Sequence, residues 1–141
     1  MTKPLVSIIT PCYNGEAFLK RYFESILNQT YPNLELIFIN DGSTDRTEEI
    51  ALSYRERLEK RGITYIYEKQ ENAGQAAALN RGLKLFTGEY LTWPDSDDEM
   101  VSDAVEKKVD YLEQHPDYGF CICKTKVVNE NNPEMKCGYY E

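Results

Sequence analysis

Short apolar segments alternate along the chain with longer segments in which apolar residues recur at helical spacing. The short segments have the length of buried strands, and the longer ones have the single apolar face of amphipathic helices. The predicted strands cover residues 5–10, 34–40, 63–68, 88–93 and 118–125. Because strand and helix alternate four times, the pattern predicts an α/β fold with a doubly wound, mostly parallel sheet and helices on both faces.

Boundary residues place the predicted helices between these strands. The first helix ends before Pro32, and the second begins near Asp45, since Glu48 three residues later gives the spacing of a capping box. The third helix covers residues 73–86, and the fourth ends near His115. At a helix end, His115 is interpreted as a terminal cation rather than as a catalytic base.

The composition is that of a soluble globular domain, with 41% hydrophobic and 28% charged residues among 141. The formal net charge of −8 argues against nucleic acid as a partner, because nucleic-acid binding needs a basic surface. No apolar run has the length of a membrane span, so we expect a cytoplasmic protein, with membrane association through parts outside this chain left open. The four cysteines lack zinc-site spacing and are interpreted as reduced packing residues.

Polar loops follow four of the predicted strands, at residues 10–16, 40–45, 69–75 and 94–99. In open α/β sheets, ligands bind beyond the carboxyl ends of the strands, in the crevice where the strand order reverses. We therefore expect these four loops to converge on one binding site.

Single residues in three of these loops have both a binding and a structural interpretation. Tyr13 either stacks on a planar base or packs against its own loop. Asp41 either accepts a hydrogen bond from a base N–H or forms an Asx turn that leads into the next helix. Asn72 and Gly74 precede the third helix, whose free N–H groups suit a phosphate, although turns of this composition are common.

An acidic segment follows the fourth predicted strand and contains Asp95, Asp97, Asp98, Glu99 and Asp103. Two carboxylates about 4 Å apart repel by roughly 1 kcal/mol in water and by several times more near protein. Such a cluster indicates either a solvated acidic turn or a hard divalent cation such as Mg²⁺ or Mn²⁺, which prefers oxygen ligands. An EF-hand loop is excluded because Met100 stands where that loop needs glycine.

The ordered motifs resemble the N-terminal, nucleotide-sugar-binding half of a family 2 glycosyltransferase of the GT-A type, a Rossmann-like fold. They are "VSIITPCYNGEAF" with "FINDGSTD", then "NAGQAAALNRGL", then "GEYLTWPDSDD". The resemblance implies transfer of a sugar from a nucleotide-diphosphate sugar, commonly a UDP-sugar, to an acceptor hydroxyl. It also implies dependence on Mn²⁺ or Mg²⁺ and inversion at the sugar carbon.

The resemblance also implies roles for individual residues. Pro11, Tyr13 and Asp41 are expected at the base, with Glu16 framing that pocket. Asp97 is expected as the main metal ligand with Asp95, in a motif of the D-x-D type; Asp95 and Ser96 would lie toward the ribose or sugar. Asn72 and Gly74 are retained as nucleotide-binding candidates. A basic residue that some family members place near the third helix is replaced here by Gly74 and Gln75.

The catalytic base and the acceptor-binding half of the family lie further along the chain than residue 141. We therefore expect residues 1–128 to be the donor-binding domain and residues 129–141 to be a polar segment without a strong element of its own. The acceptor is unknown: a saccharide, a lipid or a protein. A homodimer that covers apolar surface near the chain end is a further expectation.

Three alternatives have sequence features that distinguish them. A phospho-acceptor receiver domain needs an acidic pair after the first strand, where this chain has Pro11, Cys12 and Tyr13. A nucleotidyltransferase normally has a glycine-rich basic loop at the same place, and this loop is neither. A non-catalytic nucleotide-sugar-binding module has the same motifs as the enzyme and stays open.

Overall fold

The computed structural model describes residues 2–129 and 131–140, which form two compact units that divide after Glu106. The elements are β1 (Val6–Cys12), α1 (Leu19–Leu27), β2 (Leu34–Asp41), α2 (Thr47–Ser53), α3 (Arg55–Lys60), β3 (Thr64–Gln70), α4 (Gln75–Gly82), β4 (Tyr90–Thr92), α5 (Ala104–Gln114), β5 (Thr125–Asn129) and β6 (Asn132–Tyr140). The predicted domain boundary at residue 128 stays a prediction.

The sheet of the first unit has the strand order β3-β2-β1-β4, and each neighbouring pair is parallel. The chain builds outward from β1 through β2 to β3, and then returns to the other side of β1 with β4. The strand order therefore reverses between β1 and β4, which is the position where such sheets bind ligands. This parallel arrangement confirms the predicted α/β fold class.

Every residue of the central strand β2 is buried, as a strand covered on both faces requires. On one face Phe38 lies 5.4 Å, between ring centroids, from Phe23 of α1. On the other face Ile37 and Ile39 pack with Ala78 of α4 in a buried cluster. Successive side chains of a strand point to opposite faces, so Phe38 packs against α1 while Ile37 and Ile39 pack against α4. Burial of each of these large apolar side chains contributes about 1.5–3 kcal/mol, which holds the two helices on opposite faces of the sheet.

A buried carboxylate ties β4 to the sheet near the amino ends of the strands. Glu35 of β2 accepts hydrogen bonds from the Ser7 hydroxyl at 2.6 Å and from the backbone N–H and hydroxyl of Thr87 at 2.7 and 2.9 Å. The Ser7 hydroxyl in turn accepts the N–H of Gly88 at 2.8 Å. This network positions the segment that leads into β4 and the acidic loop.

The predicted second helix differs from the structure in two respects. It divides at Tyr54 into α2 and α3, and the expected capping box does not form. Asp45 accepts the N–H groups of Thr47 and Glu16, whereas the Glu48 carboxylate accepts the Tyr67 hydroxyl at 2.7 Å. Tertiary partners therefore replace the local reciprocal cap.

Two predictions for the second unit are wrong. The fifth strand was expected at residues 118–125 in the parallel sheet, but β5 begins at Thr125 and pairs antiparallel with β6. Residues 129–141 were expected to lack an element, and β6 occupies Asn132–Tyr140. The Asn129 side chain accepts the N–H groups of Asn131 and Asn132 and so forms an Asx turn between β5 and β6. The periodicity of apolar residues does not reveal such a turn.

Candidate functional site

A cleft of about 360 Å³ lies in the first unit at the carboxyl ends of β1 and β2, next to the loop that follows β4. Its lining includes six of the predicted site residues: Pro11, Tyr13, Asp41, Asp95, Ser96 and Asp97. These residues come from three separate loops, and the sheet topology brings them together at the reversal of strand order. The expected convergence is therefore present for residues 10–16, 40–45 and 94–99, and the fourth predicted segment, residues 69–75, reaches the lining through Gln75.

The loop after β1 presents an exposed aromatic ring on a fixed backbone. Tyr13 is 53% exposed and lines the cleft. Its neighbour Asn14 has a positive φ of 51°, donates its N–H to the Ser43 hydroxyl at 2.9 Å and accepts the N–H of Thr44 at 2.8 Å. The β1 and β2 loops are thus joined beside Tyr13, while the ring keeps the exposure that stacking on a base needs.

Asp41 is the most completely hydrogen-bonded carboxylate of the cleft. Its Oδ1 accepts the Gln70 side-chain amide at 2.7 Å and the N–H of Ala73 at 2.9 Å, and its Oδ2 accepts the N–H of Gly74 at 2.9 Å. Burial alone would raise the pKa of Asp41, but these three donors outweigh it and place the pKa below the ordinary value. Asp41 is consequently an ionised acceptor at neutral pH.

The Asx-turn interpretation of Asp41 is wrong, because the preceding residue makes that turn. Asn40 Oδ1 accepts the N–H of Ser43 at 2.9 Å, while Asn40 Nδ2 donates to the Tyr67 hydroxyl. The Asp41 side chain points instead toward the β3–α4 loop, whose N–H groups it accepts. Asn40 therefore forms the turn, and the adjacent Asp41 lines the cleft.

Asn72 and Gly74 lie outside the cleft lining, and both donate hydrogen bonds to Asp41. Asn72 Nδ2 donates to the Asp41 carbonyl at 3.1 Å, and Gly74, at a positive φ of 90°, donates its N–H to the carboxylate. Amides that the sequence associated with a phosphate therefore bind a side chain of the protein. The sequence could not reveal this, because the contact joins two loops about thirty residues apart.

Glu16 also lies outside the cleft lining, in a reciprocal contact with the loop before α2. Its carboxylate accepts the N–H of Arg46 at 3.0 Å, and its own N–H donates to Asp45 Oδ2 at 3.0 Å. These two bonds hold the β1 and β2 loops together at the outer end of the contact made by Asn14. Glu16 therefore joins the two loops rather than lining the cleft, and its expected role in framing the base pocket stays a prediction.

Of the five clustered carboxylates, only Asp95 and Asp97 line the cleft. Asp95 accepts the Gln75 side-chain amide at 2.8 Å, and Glu99 lies 3.5 Å from the Arg21 guanidinium on the α1 side. Burial raises the pKa of Asp98, and the charges of Asp97 and Asp95 raise it further. The repulsion that the sequence predicted is therefore present at this loop.

The donor set of this loop fits a hard divalent cation. Its side-chain donors in the cleft are carboxylate oxygens, the ligands that Mg²⁺ and Mn²⁺ prefer. Within residues 2–129 and 131–140, no group of three or more His, Cys, Asp or Glu side chains forms a ready-made metal cage. Mg²⁺ is commonly held by only one or two carboxylates, so the donor chemistry of Asp95 and Asp97 fits such a cation without a larger cluster.

Five lining residues were not predicted as site residues: Cys12, Asn14, Gly15, Phe18 and Gln75. Burial raises the pKa of the Cys12 thiol, which lies at the end of β1, so it is a packing thiol rather than a nucleophile. Gln75 was noted only as the residue at a position that is basic in some relatives. Gln75 is the first residue of α4 and directly follows the loop after β3, and this position could have indicated that it lines the cleft.

Comparison with known proteins agrees with this geometry. The profile of glycosyl transferase family 2 matches residues 7–138. An uncharacterised glycosyltransferase from Haemophilus influenzae is 42% identical over 145 aligned positions, which cover 99% of this chain and 57% of that protein. The chain spans between 32% and 57% of the length of the first three curated relatives.

Solved structures show the same fold. The mannosyltransferase PcManGT from Pyrobaculum calidifontis, in complex with GDP-Man and Mn²⁺, is 30% identical with a TM-score of 0.71 over 79% of this chain and 33% of its own. Residues 1–349 of S. aureus TarS, in complex with UDP, give a TM-score of 0.72 at 22% identity over 91% of this chain and 43% of the TarS chain.

No helix among the described residues is long and apolar enough to cross a bilayer. The family match over residues 7–138, the parallel sheet and the acidic loop at its reversal point agree with one another. They confirm the resemblance drawn from the motifs: this chain belongs to glycosyl transferase family 2.

Proposed function

We propose that the cleft binds the nucleoside diphosphate of an activated sugar, in the presence of Mn²⁺ or Mg²⁺, for transfer of the sugar to an acceptor hydroxyl with inversion. The observation that carries the proposal is the meeting of an exposed ring, an ionised acceptor and two carboxylates in one cleft. Tyr13 offers a stacking face, Asp41 accepts a base N–H, and Asp95 with Asp97 lie where a diphosphate needs a counter-ion.

The chain's own residues bind and orient the donor. Pro11 and Tyr13 bound one side of the base, and Asp41 faces it from the end of β2. Asp95 and Ser96 lie toward the ribose or sugar, and Asp97 with Asp95 would hold the cation. When bound, the cation supplies positive charge that offsets the diphosphate and favours its departure as the leaving group.

Deprotonation of the acceptor requires a base that the cleft does not offer. Asp95 and Asp97 are assigned to the cation, and Asp41, which already accepts three protein donors, is assigned to the nucleobase. We propose that the base and the acceptor site belong to sequence beyond residue 141, which the greater length of the curated relatives supports. This chain then contributes mainly donor binding.

The relatives support the donor class but differ in the nucleotide. PcManGT is in complex with GDP-Man and Mn²⁺, and TarS with UDP. We propose UDP for this chain. A putative teichuronic acid glycosyltransferase of Bacillus subtilis, 37% identical, supports polysaccharide synthesis as the setting. The acceptor and the homodimer stay predictions.

Calorimetric titration with UDP, with and without Mn²⁺, tests the proposal. We expect Mn²⁺-dependent binding that Asp97→Asn abolishes, because that substitution removes a negative charge from the cation site. Glu99→Gln is the matched control, since Glu99 belongs to the same acidic segment but lies beside Arg21 outside the cleft lining. Binding that is unchanged in Asp97→Asn, or absent from the unsubstituted chain, would contradict the proposal.

A further inference from the structure

Asp41 and Gln70 are direct cross-strand neighbours, and the bond between them limits what the carboxylate can accept from a ligand. The two residues pair in the β2–β3 register, at the last position of both strands. Gln70 is half-buried, and its amide donates to Asp41 Oδ1 at 2.7 Å. Gln70 does not line the cleft, so it acts on a ligand through Asp41.

The hydrogen bonds of Asp41 can be counted against its capacity. An ionised carboxylate offers about four acceptor positions, two on each oxygen. Among the described residues, Gln70 and Ala73 occupy both positions on Oδ1, and Gly74 occupies one on Oδ2. Since Asp41 is only 3% exposed but lines the cleft, it has a single position left for a ligand.

Nucleobases differ in how many adjacent donors they present to such a group. The edge of uracil carries one N–H between two carbonyl groups. The corresponding edge of guanine carries a ring N–H and an amino group side by side, which a carboxylate binds best with one oxygen each, as it binds arginine. A carboxylate whose Oδ1 is already saturated satisfies the uracil edge and leaves one guanine donor without a partner.

We propose that Gln70 is a positioning residue that sets base selectivity, by saturating Asp41 Oδ1 so that the cleft prefers a uracil over a guanine nucleotide. This inference rests on the proposed function, since it concerns the base of the same donor. It also distinguishes between the two nucleotides with which PcManGT and TarS are in complex.

The hydrogen bond between Gln70 and Asp41 can be removed together with the side chain that fills the space beside Oδ1. Gln70→Ala frees a position on Oδ1 and the space next to it, so guanine gains a second acceptor while the uracil contact is unaffected. A hydrogen bond to a charged group accounts for roughly a tenfold difference in affinity. We therefore expect the ratio of UDP to GDP affinity, measured by calorimetry with Mn²⁺, to fall about tenfold in Gln70→Ala.

Two further variants separate selectivity from general damage. Gln70→Gly also lacks the donor and opens the same space, so it should reproduce the reduced ratio, and Glu71→Ala, at the adjacent exposed position, should keep the original ratio. Thermal melts of all variants show whether the fold is retained. The selectivity ratio is informative because a structural defect alone would weaken both nucleotides together.

Each outcome decides the matter. A reduced UDP to GDP ratio in both Gln70 variants supports the inference. An unchanged ratio, or tighter binding of GDP than UDP by the unsubstituted chain, overturns it and leaves the donor-binding function standing. Failure of the unsubstituted chain to bind any nucleoside diphosphate with Mn²⁺ overturns the proposed function and this inference together.

Discussion

Gln75 and Asp95 meet at the cleft: the side-chain amide of Gln75, the first residue of α4, donates to Asp95 Oδ1 at 2.8 Å. The bond joins the helix that follows β3 to the acidic loop that follows β4, and both residues line the cleft. A neutral donor beside a carboxylate holds its orientation without neutralising its charge. The bond therefore brings no positive charge to the place where we propose that the cation binds.

Replacing this neutral donor by a positively charged side chain should weaken the proposed Mn²⁺ site. Gln75→Lys places an ammonium group beside Asp95, where it offsets the carboxylate and competes with Mn²⁺. We expect the Mn²⁺ concentration for half-maximal UDP binding to rise about tenfold, which corresponds to about 1.4 kcal/mol. Titration of Mn²⁺ at fixed UDP measures it.

Gln75→Leu is the matched control, since it removes the same hydrogen bond and adds no charge. We expect its Mn²⁺ requirement to change much less than that of Gln75→Lys. Equal requirements in the two variants would show that loss of the bond, and not the added charge, causes the effect.

The exposed ring of Tyr13 should contribute directly to nucleotide affinity. Stacking of a base on an aromatic side chain is worth about 1–3 kcal/mol, so Tyr13→Ala should weaken UDP binding at least fivefold. Tyr13→Phe keeps the ring and should bind UDP nearly as tightly as the unsubstituted chain. Calorimetry of the three proteins with UDP and Mn²⁺ compares them, and a full loss in Tyr13→Phe would point to the hydroxyl instead.

The main sheet could be predicted because its signals are local and repeated. The pattern of apolar residues predicts buried strands such as β2 and amphipathic helices such as α1. The alternation of strands and helices then predicts a parallel sheet. The second unit could not be predicted in this way. The alternating apolar residues 118–122 resemble a strand, whereas β5 begins only at Thr125 and pairs with the next segment along the chain.

The candidate site was predictable at the level of loops and less so at the level of contacts. Residues at or beyond the end of a strand, such as Asp41 and Asp97, could be predicted because strand ends converge. The partners of Asp41 were not, because Gln70 and Gly74 reach it only through strand register and a loop reversal. Hydrogen bonds between residues far apart in the chain produce no periodic pattern in the sequence, so periodicity cannot predict them.

The repulsion at the acidic loop gives a pH-dependent prediction for Asp98. Burial, followed by the charges of Asp97 and Asp95, raises the folded-state pKa of Asp98 above its unfolded value. The folded protein therefore favours the protonated form, and stability from this group is lost as the pH rises through the folded pKa. Asp98→Asn, which is always neutral, should be more stable than the unsubstituted chain at pH 7.

As the pH falls below about 4, Asp98 becomes increasingly protonated in both the folded and the unfolded state, and the stability difference should shrink. Urea unfolding of both proteins at pH 7 and pH 3.5 measures this. Asp117→Asn, at an exposed aspartate of the second unit, controls for the general effect of removing a charge. A stability difference that is the same at both pH values would contradict the assignment.

The buried Glu35 network should be a large single contribution to stability far from the cleft. Glu35→Ala leaves the Ser7 hydroxyl and both donors of Thr87 without their acceptor, which should lower the free energy of unfolding by about 2–4 kcal/mol. Glu35→Gln keeps an acceptor oxygen and most of the volume and should lose less. Glu56→Ala removes an exposed carboxylate that pairs with Lys60 and should cost under about 0.5 kcal/mol. Urea unfolding ranks the three variants. A Glu35→Ala loss no larger than that of Glu56→Ala would mean that water replaces the carboxylate, and that Thr87 does not depend on it to bring β4 beside β1.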